Sequence, residues 1–148
     1  MFKRPASQRM PMASVLFICV HNAGRSQIAE AIFNQLANGH HIAKSAGSKP
    51  ADHVNPVAVE ALKEIGIDIS GRKPKKLDSD LALWADLVIT MGCGDEPCPV
   101  VTGEIRNWDL EDPHGQPIEK VREIRDDIRR RVEVLVKELD ETPIPASN

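Results

Sequence analysis

The sequence predicts one α/β domain: a four-stranded parallel sheet with helices on both faces and the first strand at its centre. Three observations predict it. Val15–Val20 is an unbroken apolar run, the mark of a strand buried on both faces. Further short apolar runs alternate with segments of helical period, as in βαβ units. Near the end, Val121, Ile124, Ile128, Val132, Leu135 and Leu139 recur at three- and four-residue steps, making one stripe that packs on a sheet.

The elements follow in order. Residues 1–13, with Lys3, Arg4, Pro5 and Pro11, read as an extension outside the fold, and Met10 or Met12 is an alternative start. After the strand Val15–Val20 comes a loop, then a helix from Ser26 to Ala37. His41–Ser45 reads as the second strand, closing at Ala46-Gly47-Ser48. Asn55 caps a helix that starts at Pro56 and runs to Ile65, where Gly66 stops it. Asp78 or Ser79 caps a short helix through Trp84. Asp86–Met91 reads as the third strand and Ile105–Leu110 as the fourth. On the last helix, Asp126 with Arg130, Asp127 with Arg131 and Glu133 with Lys137 are four-apart pairs on a solvated face. The domain spans 14–139, and residues 140–148, with two prolines, read as a flexible tail.

Composition narrows the function classes. The chain has 148 residues, 41% apolar and 28% charged, which suits a single domain whose core needs no disulfide staples. Net charge is −3, and no basic run is concentrated enough to neutralise a phosphate backbone, so nucleic acid is not the expected partner. The apolar run near the start is far short of the ~20 residues of a membrane span. It is also too short for a signal-peptide core, so the expected location is the cytoplasm, away from membranes. Three cysteines, an odd number, fit catalytic or metal-binding thiols in a reducing compartment better than a disulfide framework.

The segment Cys19-Val20-His21-Asn22-Ala23-Gly24-Arg25-Ser26 lies between the first strand and the first helix. A loop of this length can curl so that its N–H groups converge on an oxyanion. The helix N-terminus adds its positive end, Gly24 permits close approach, and Arg25 offers a two-pronged contact. The same groups favour a thiolate at Cys19, and Ser26 is placed to donate to the sulfur. The alternative is an inert strand-end cysteine. In an open parallel sheet, ligands bind at the carboxyl ends of strands, where the order of connection reverses. Asp112-Pro113, after the fourth strand, should reach that same edge. A carboxylic acid there can protonate a leaving oxygen, although Asp and Pro are also ordinary turn residues.

Cys-x5-Arg-Ser after a first strand resembles the low-molecular-weight tyrosine phosphatase fold. The longer stretch Cys-Val-His-Asn-Ala-Gly-Arg-Ser-Gln-Ile-Ala-Glu-Ala resembles the arsenate reductases built on that fold. The resemblance covers about Ser14 to Leu139. It implies a strand order 2-1-3-4, with Cys19 as nucleophile, Val20 to Ser26 as the oxyanion loop and Asp112 as general acid. Phosphatases of this fold carry aromatic residues after the Asp-Pro pair; here His114-Gly115 follow, and the chain has no tyrosine.

Cys93 and Cys98 follow the third strand, in a loop of glycines and prolines. The resemblance implies a relay. Cys19 attacks arsenate and water leaves with help from Asp112. Cys93 attacks Cys19, releasing arsenite, and Cys98 attacks Cys93. The Cys93–Cys98 disulfide then passes to an external dithiol by thiolate exchange. The short spacing of these two cysteines resembles actinobacterial relatives, some of which use mycothiol. The expected reductant is therefore thioredoxin, or mycothiol with mycoredoxin, and no bound cofactor or metal is expected. Arsenate is the expected substrate, with phosphate and sulfate as competing anions. Other uses of the pair are plain packing or a zinc site, for which His114 is the nearest further ligand. Some family members bind a monovalent cation. Asn22 and Glu30 match that motif, but Gly71-Arg72-Lys73-Pro74-Lys75-Lys76 lacks the accompanying hydroxyl and carboxylate; a lysine there could replace the cation's charge, or the segment is simply a solvated basic turn. Two other functions remain open: a phosphatase for small phosphomonoesters, which needs neither Cys93 nor Cys98, and a non-catalytic oxyanion or redox sensor.

Overall fold

In the computed structural model, which describes residues 12–92 and 104–141, strand β1 (Ser14–Cys19) occupies the middle of the sheet. Its apolar side chains face both ways. Val15, Phe17 and Cys19 join one core cluster; Leu16 and Ile18 join another on the opposite face. Such a strand needs a hydrogen-bonding neighbour on each side. It pairs in parallel with β2 (Ile42–Gly47) and with β3 (Leu87–Thr90), and β3 pairs with β4 (Glu104–Asn107). The sheet is therefore four-stranded and parallel, with order β2-β1-β3-β4.

The helices are shared unequally between the faces. Helices α1 (Arg25–Ala37), α2 (Pro56–Lys63) and α4 (Ile118–Glu141) supply apolar residues to the cluster around Phe17. The short α3 (Ser79–Trp84) covers Leu16, Ile18 and Val88 on the other face with Leu81 and Trp84. Phe17 sits edge-on to Phe33, ring centroids 5.9 Å apart, and 5.7 Å from Trp108. Side-chain caps start two of the helices. Asn55 Oδ1 accepts the Val57 N–H at 2.9 Å, and Asp78, not Ser79, accepts the Leu81 N–H at 2.8 Å. No helix among the described residues is long and apolar enough to cross a membrane.

Several boundaries differ from expectation for identifiable reasons. The fourth strand ends at Asn107 and does not run to Leu110. Its partner β3 stops at Thr90, whose carbonyl takes a last bond from the Trp108 N–H at 2.8 Å, so nothing remains to pair with. Ala13 belongs to the fold: it is buried, its N–H donates to His41 Nδ1, and its carbonyl accepts from Ile42. Helix α4 continues to Glu141, so Asp140 and Glu141, expected in the tail, are helical. The remaining residues of the expected extension and tail, 1–11 and 142–148, lie outside the described residues. Of the pairs expected on α4, Asp127–Arg131 forms at 3.2 Å. Asp126 pairs with Arg125 and Glu133 with Arg129.

Two polar clamps hold the ends together. His41 is buried; it accepts from Ala13 N–H through Nδ1, so its Nε2 carries the proton that bonds Asp140 at 2.8 Å. This joins the starts of β1 and β2 to the end of α4. On the other side, Glu64 accepts from Arg122 and Arg125, linking the end of α2 to α4.

His41→Leu is expected to lower unfolding free energy by about 1–3 kcal/mol in urea titration, because it strands the buried Ala13 N–H. Asp140→Asn, which keeps an acceptor, should cost less. Glu64 gives a pH test. Hydrogen bonds from Arg122 first, then Arg125, hold its carboxyl down to about 2 from the usual 4.5. A depressed carboxyl stabilises fully above its unfolded value and loses that contribution as pH falls through its folded value. The stability difference between wild type and Glu64→Gln should therefore shrink as pH falls from 4.5 to about 2. A difference that stays constant over that window refutes the clamp.

Candidate active site

β1 delivers Cys19 to the carboxyl edge of the sheet, between its two neighbours, and the chain then turns through residues 20–24 into α1. Three backbone bonds shape this turn. The carbonyls of Val20, His21 and Ala23 accept N–H groups from Lys49, Ala51 and Asn55 at 2.8, 2.9 and 2.8 Å. Those carbonyls are thereby turned toward segment 49–55. The inner side of the loop is left to amide groups, the arrangement that binds oxyanions. Asn22 sits at its bend with φ 52°, a conformation asparagine tolerates better than most residues.

Cys19 lies at the floor of this turn, 2% exposed. Its Sγ is 3.3 Å from the Asn22 N–H and 2.9 Å from Ser26 Oγ. Asn22 Nδ2 donates to the same Ser26 oxygen at 2.7 Å, so the serine hydroxyl keeps its own proton free to give to sulfur. The Asn22 side-chain oxygen is held in turn by Gln27 Nε2 at 3.0 Å and by the Lys75 N–H at 2.9 Å. Both sulfur contacts are ones a thiolate accepts.

Arg25 and Asp112 complete the wall. Arg25 Nη1 donates to the Leu110 carbonyl at 3.3 Å, and Nη2 lies 3.5 Å from Asp112 Oδ2. Asp112 is half exposed, and its other oxygen accepts the His114 N–H at 3.0 Å. Two glycines make this assembly possible. A Cβ on Gly24 would stand 2.6 Å from Pro113 Cγ, so only glycine lets the Asp-Pro segment lie against the loop. A Cβ on Gly92, at φ +91°, would meet the Arg25 guanidinium at 2.3 Å. Above Cys19 opens a cavity of about 460 Å³, walled by His21, Arg25, His53, Val54, Asp112 and Pro113.

The structure thus brings Cys19, the loop Val20 to Ser26, and Asp112 together at one edge. Cys93 and Cys98 lie outside the described residues. Three features escaped the sequence reading: the brace at 49–55, the Leu110 carbonyl under Arg25, and the fit of Gly92 to that arginine. The first is backbone to backbone and the second ends on a backbone carbonyl, so neither segment 49–55 nor Leu110 carries a side-chain signature of it. The third was legible only as a glycine after an apolar strand.

Comparison with known proteins agrees with this fold. Residues 14–143 match the family model described as low molecular weight phosphotyrosine protein phosphatase. A glutaredoxin arsenate reductase of Synechocystis is 38% identical over 131 residues, covering 86% of this chain and 99% of that one. A thioredoxin-dependent arsenate reductase of Corynebacterium glutamicum superposes with TM-score 0.78 at 43% identity, over 89% of this chain and 64% of that longer chain. An arsenate reductase solved in a phosphate-binding state superposes with TM-score 0.79 at 35% identity, over 86% and 98%. With residues 14–143 matched by that family model, nearly the whole described chain, the chain belongs to the low molecular weight phosphotyrosine protein phosphatase family.

Proposed function

We propose that this chain reduces arsenate to arsenite, with Cys19 as nucleophile, and so serves arsenic detoxification in a reducing compartment such as the cytoplasm. The observation that carries the reading is the placing of Cys19 Sγ beneath an amide-lined loop, with Arg25 and Asp112 on the facing wall. Relatives with arsenate reductase activity in their names support the choice of substrate.

Arg25 and the loop amides hold the arsenate oxygens. The Cys19 thiolate attacks arsenic, and Asp112 protonates the departing oxygen, which leaves as water. This forms an S–As(V) bond. The Cys93 thiolate then attacks Cys19 Sγ. The S–As electron pair passes to arsenic, which becomes As(III) and departs as arsenite, leaving a Cys19–Cys93 disulfide. Cys98 attacks Cys93 and frees Cys19. Two thiols have lost two electrons and arsenic has gained two. An external dithiol, of thioredoxin type, reopens the Cys93–Cys98 disulfide. Mycothiol with mycoredoxin is the second candidate for that last step.

The phosphatase reading uses the same floor and wall but leaves Cys93 and Cys98 idle. The absence of tyrosine in the chain and the His114-Gly115 that follows Pro113 give a phosphotyrosine ring no stacking partner from those positions.

Arsenite release, coupled to thioredoxin or to mycothiol with mycoredoxin, tests the scheme. Cys19→Ser should abolish it, and Cys93→Ser and Cys98→Ser should each stop multiple turnover. Unchanged turnover in both of the latter sinks the relay, and release of phosphate from a small phosphomonoester that survives both favours the phosphatase. No turnover with either oxyanion leaves a sensor. Asp112→Asn should cut kcat by roughly 10²–10⁴ at neutral pH, the usual share of a general acid. Arg25→Lys should raise KM for arsenate by roughly 10-fold or more, since a lysine loses the two-pronged contact.

A further inference from the structure

Behind the oxyanion loop, on the side away from the cavity, α1 carries a carboxylate that the reaction does not use. Glu30 is 6% exposed. An ionised carboxyl in that position needs compensation, or it destabilises the fold. Ser45 Oγ donates to Oε1 at 2.9 Å. Charge compensation comes from the segment after Gly71: Arg72 Nη1 sits on Oε2, and Lys75 Nζ is 3.8 Å from Oε1. Burial, with the neighbouring charges of Arg72 and Lys44, pushes the Lys75 ammonium below the usual lysine range.

That segment is fastened to the sheet. Gly47 N–H donates to the Lys75 carbonyl, and Leu77 N–H donates to the Gly47 carbonyl, both at 2.9 Å. The Lys75 N–H is thereby presented to Asn22 Oδ1. Gln27 Nε2 takes the other side of the same oxygen.

A monovalent cation of the kind some family members hold near Asn22 and Glu30 does not fit these residues. The Asn22 oxygen already accepts two N–H bonds. The Glu30 carboxylate faces a guanidinium and an ammonium, and an added cation would meet both. We infer that Arg72 is a positioning residue that acts as a resident cation: seated on Glu30, it fixes segment 72–77 against β2 so that the Lys75 backbone orients Asn22 and, through it, Ser26. The oxyanion loop then keeps its shape whatever monovalent cation the solution contains. The kinetic consequence rests on the function proposed above; the structural one does not.

The cation dependence can be designed back in. A cavity of about 290 Å³ is lined by Gln27, Glu30, Arg72, Lys73 and Lys75, and Gln27 Oε1 is buried with no hydrogen-bond partner among the described residues. Trimming Arg72 opens the Glu30 carboxylate to a small ion in this cavity. The experiment takes the full chain as wild type, Arg72→Ala and Arg72→Lys, in potassium, sodium or tetramethylammonium chloride at equal ionic strength. It reads melting temperature and, by calorimetry, affinity for inorganic phosphate. Wild type and Arg72→Lys should give the same values in all three salts. Arg72→Ala should melt lower in tetramethylammonium and bind phosphate about five- to tenfold more weakly, the effect of losing one well-made hydrogen bond. Potassium should restore part of both. A wild-type melting temperature or phosphate affinity that depends on potassium overturns the inference, and that comparison stands even where Arg72→Ala fails to fold. So does an Arg72→Ala protein equal to wild type in tetramethylammonium. Melting behaviour as stated, in a wild type that turns over no arsenate, would leave the role of Arg72 intact and remove the proposed function.

Discussion

The site depends on the direction of three carbonyl groups. Val20, His21 and Ala23 point their oxygens outward because Lys49, Ala51 and Asn55 offer N–H groups there. Were those carbonyls to turn inward, the floor above Cys19 would present negative dipoles to an anion. The parallel pairing of β1 with β2 makes the arrangement possible: Cys19 is in register with Gly47, so the chain leaving β2 runs beside the chain leaving β1. Gly47 matters for the same reason. A Cβ there would be 2.6 Å from the Val20 carbonyl oxygen, one of the three that the brace holds. The oxyanion loop is thus a product of sheet topology as much as of its own residues.

Around that loop the polar groups form a chain with a clear direction. Lys75 N–H and Gln27 hold the Asn22 oxygen, the Asn22 amide donates a hydrogen bond to Ser26 Oγ, and the Ser26 hydroxyl is left to donate to Cys19. Each group's role is set by its neighbour, and the direction of donation follows from counting donors and acceptors. On the opposite wall the logic is steric. Arg25 rests over Gly92 and Pro113 over Gly24, so backbone and side chain approach more closely than any other residue would permit.

Much of this was legible in the sequence, for reasons that differ by element. The apolar run at Val15–Val20 marked a strand buried on both faces, and β1 lies within one residue of it. The six apolar positions of α4 all face the core. The cysteine loop and Asp112-Pro113 were readable because their chemistry is local and carried by side chains. The fourth strand is shorter than its sequence suggests because its end is set by its partner, not by its own residues. The ion pairs of α4 were partly misassigned because exposed charges a turn apart have nearly equal choices of partner. The pairing of Glu30 with a basic group of segment 71–76 was legible in outline, with a lysine as the expected residue; that Arg72 sits on it as well was not. Arg72 read as part of a solvated basic turn, and only the bridge between Gly47 and Lys76 brings that turn to α1.

The seating of Pro113 on Gly24 has one more consequence. The wall that carries Asp112 is held against the loop by this packing, a contact that owes nothing to which tetrahedral anion sits in the cradle. Arsenate and phosphate are tetrahedral anions of like charge, and a cradle already formed should admit both. Under the proposed function, discrimination is exercised after binding: phosphate visits and departs because phosphorus will not accept the electron pair, whereas arsenic will. Such an enzyme guards its chemistry by reducibility rather than by shape, and the abundance of phosphate around it sets how often the cradle is free.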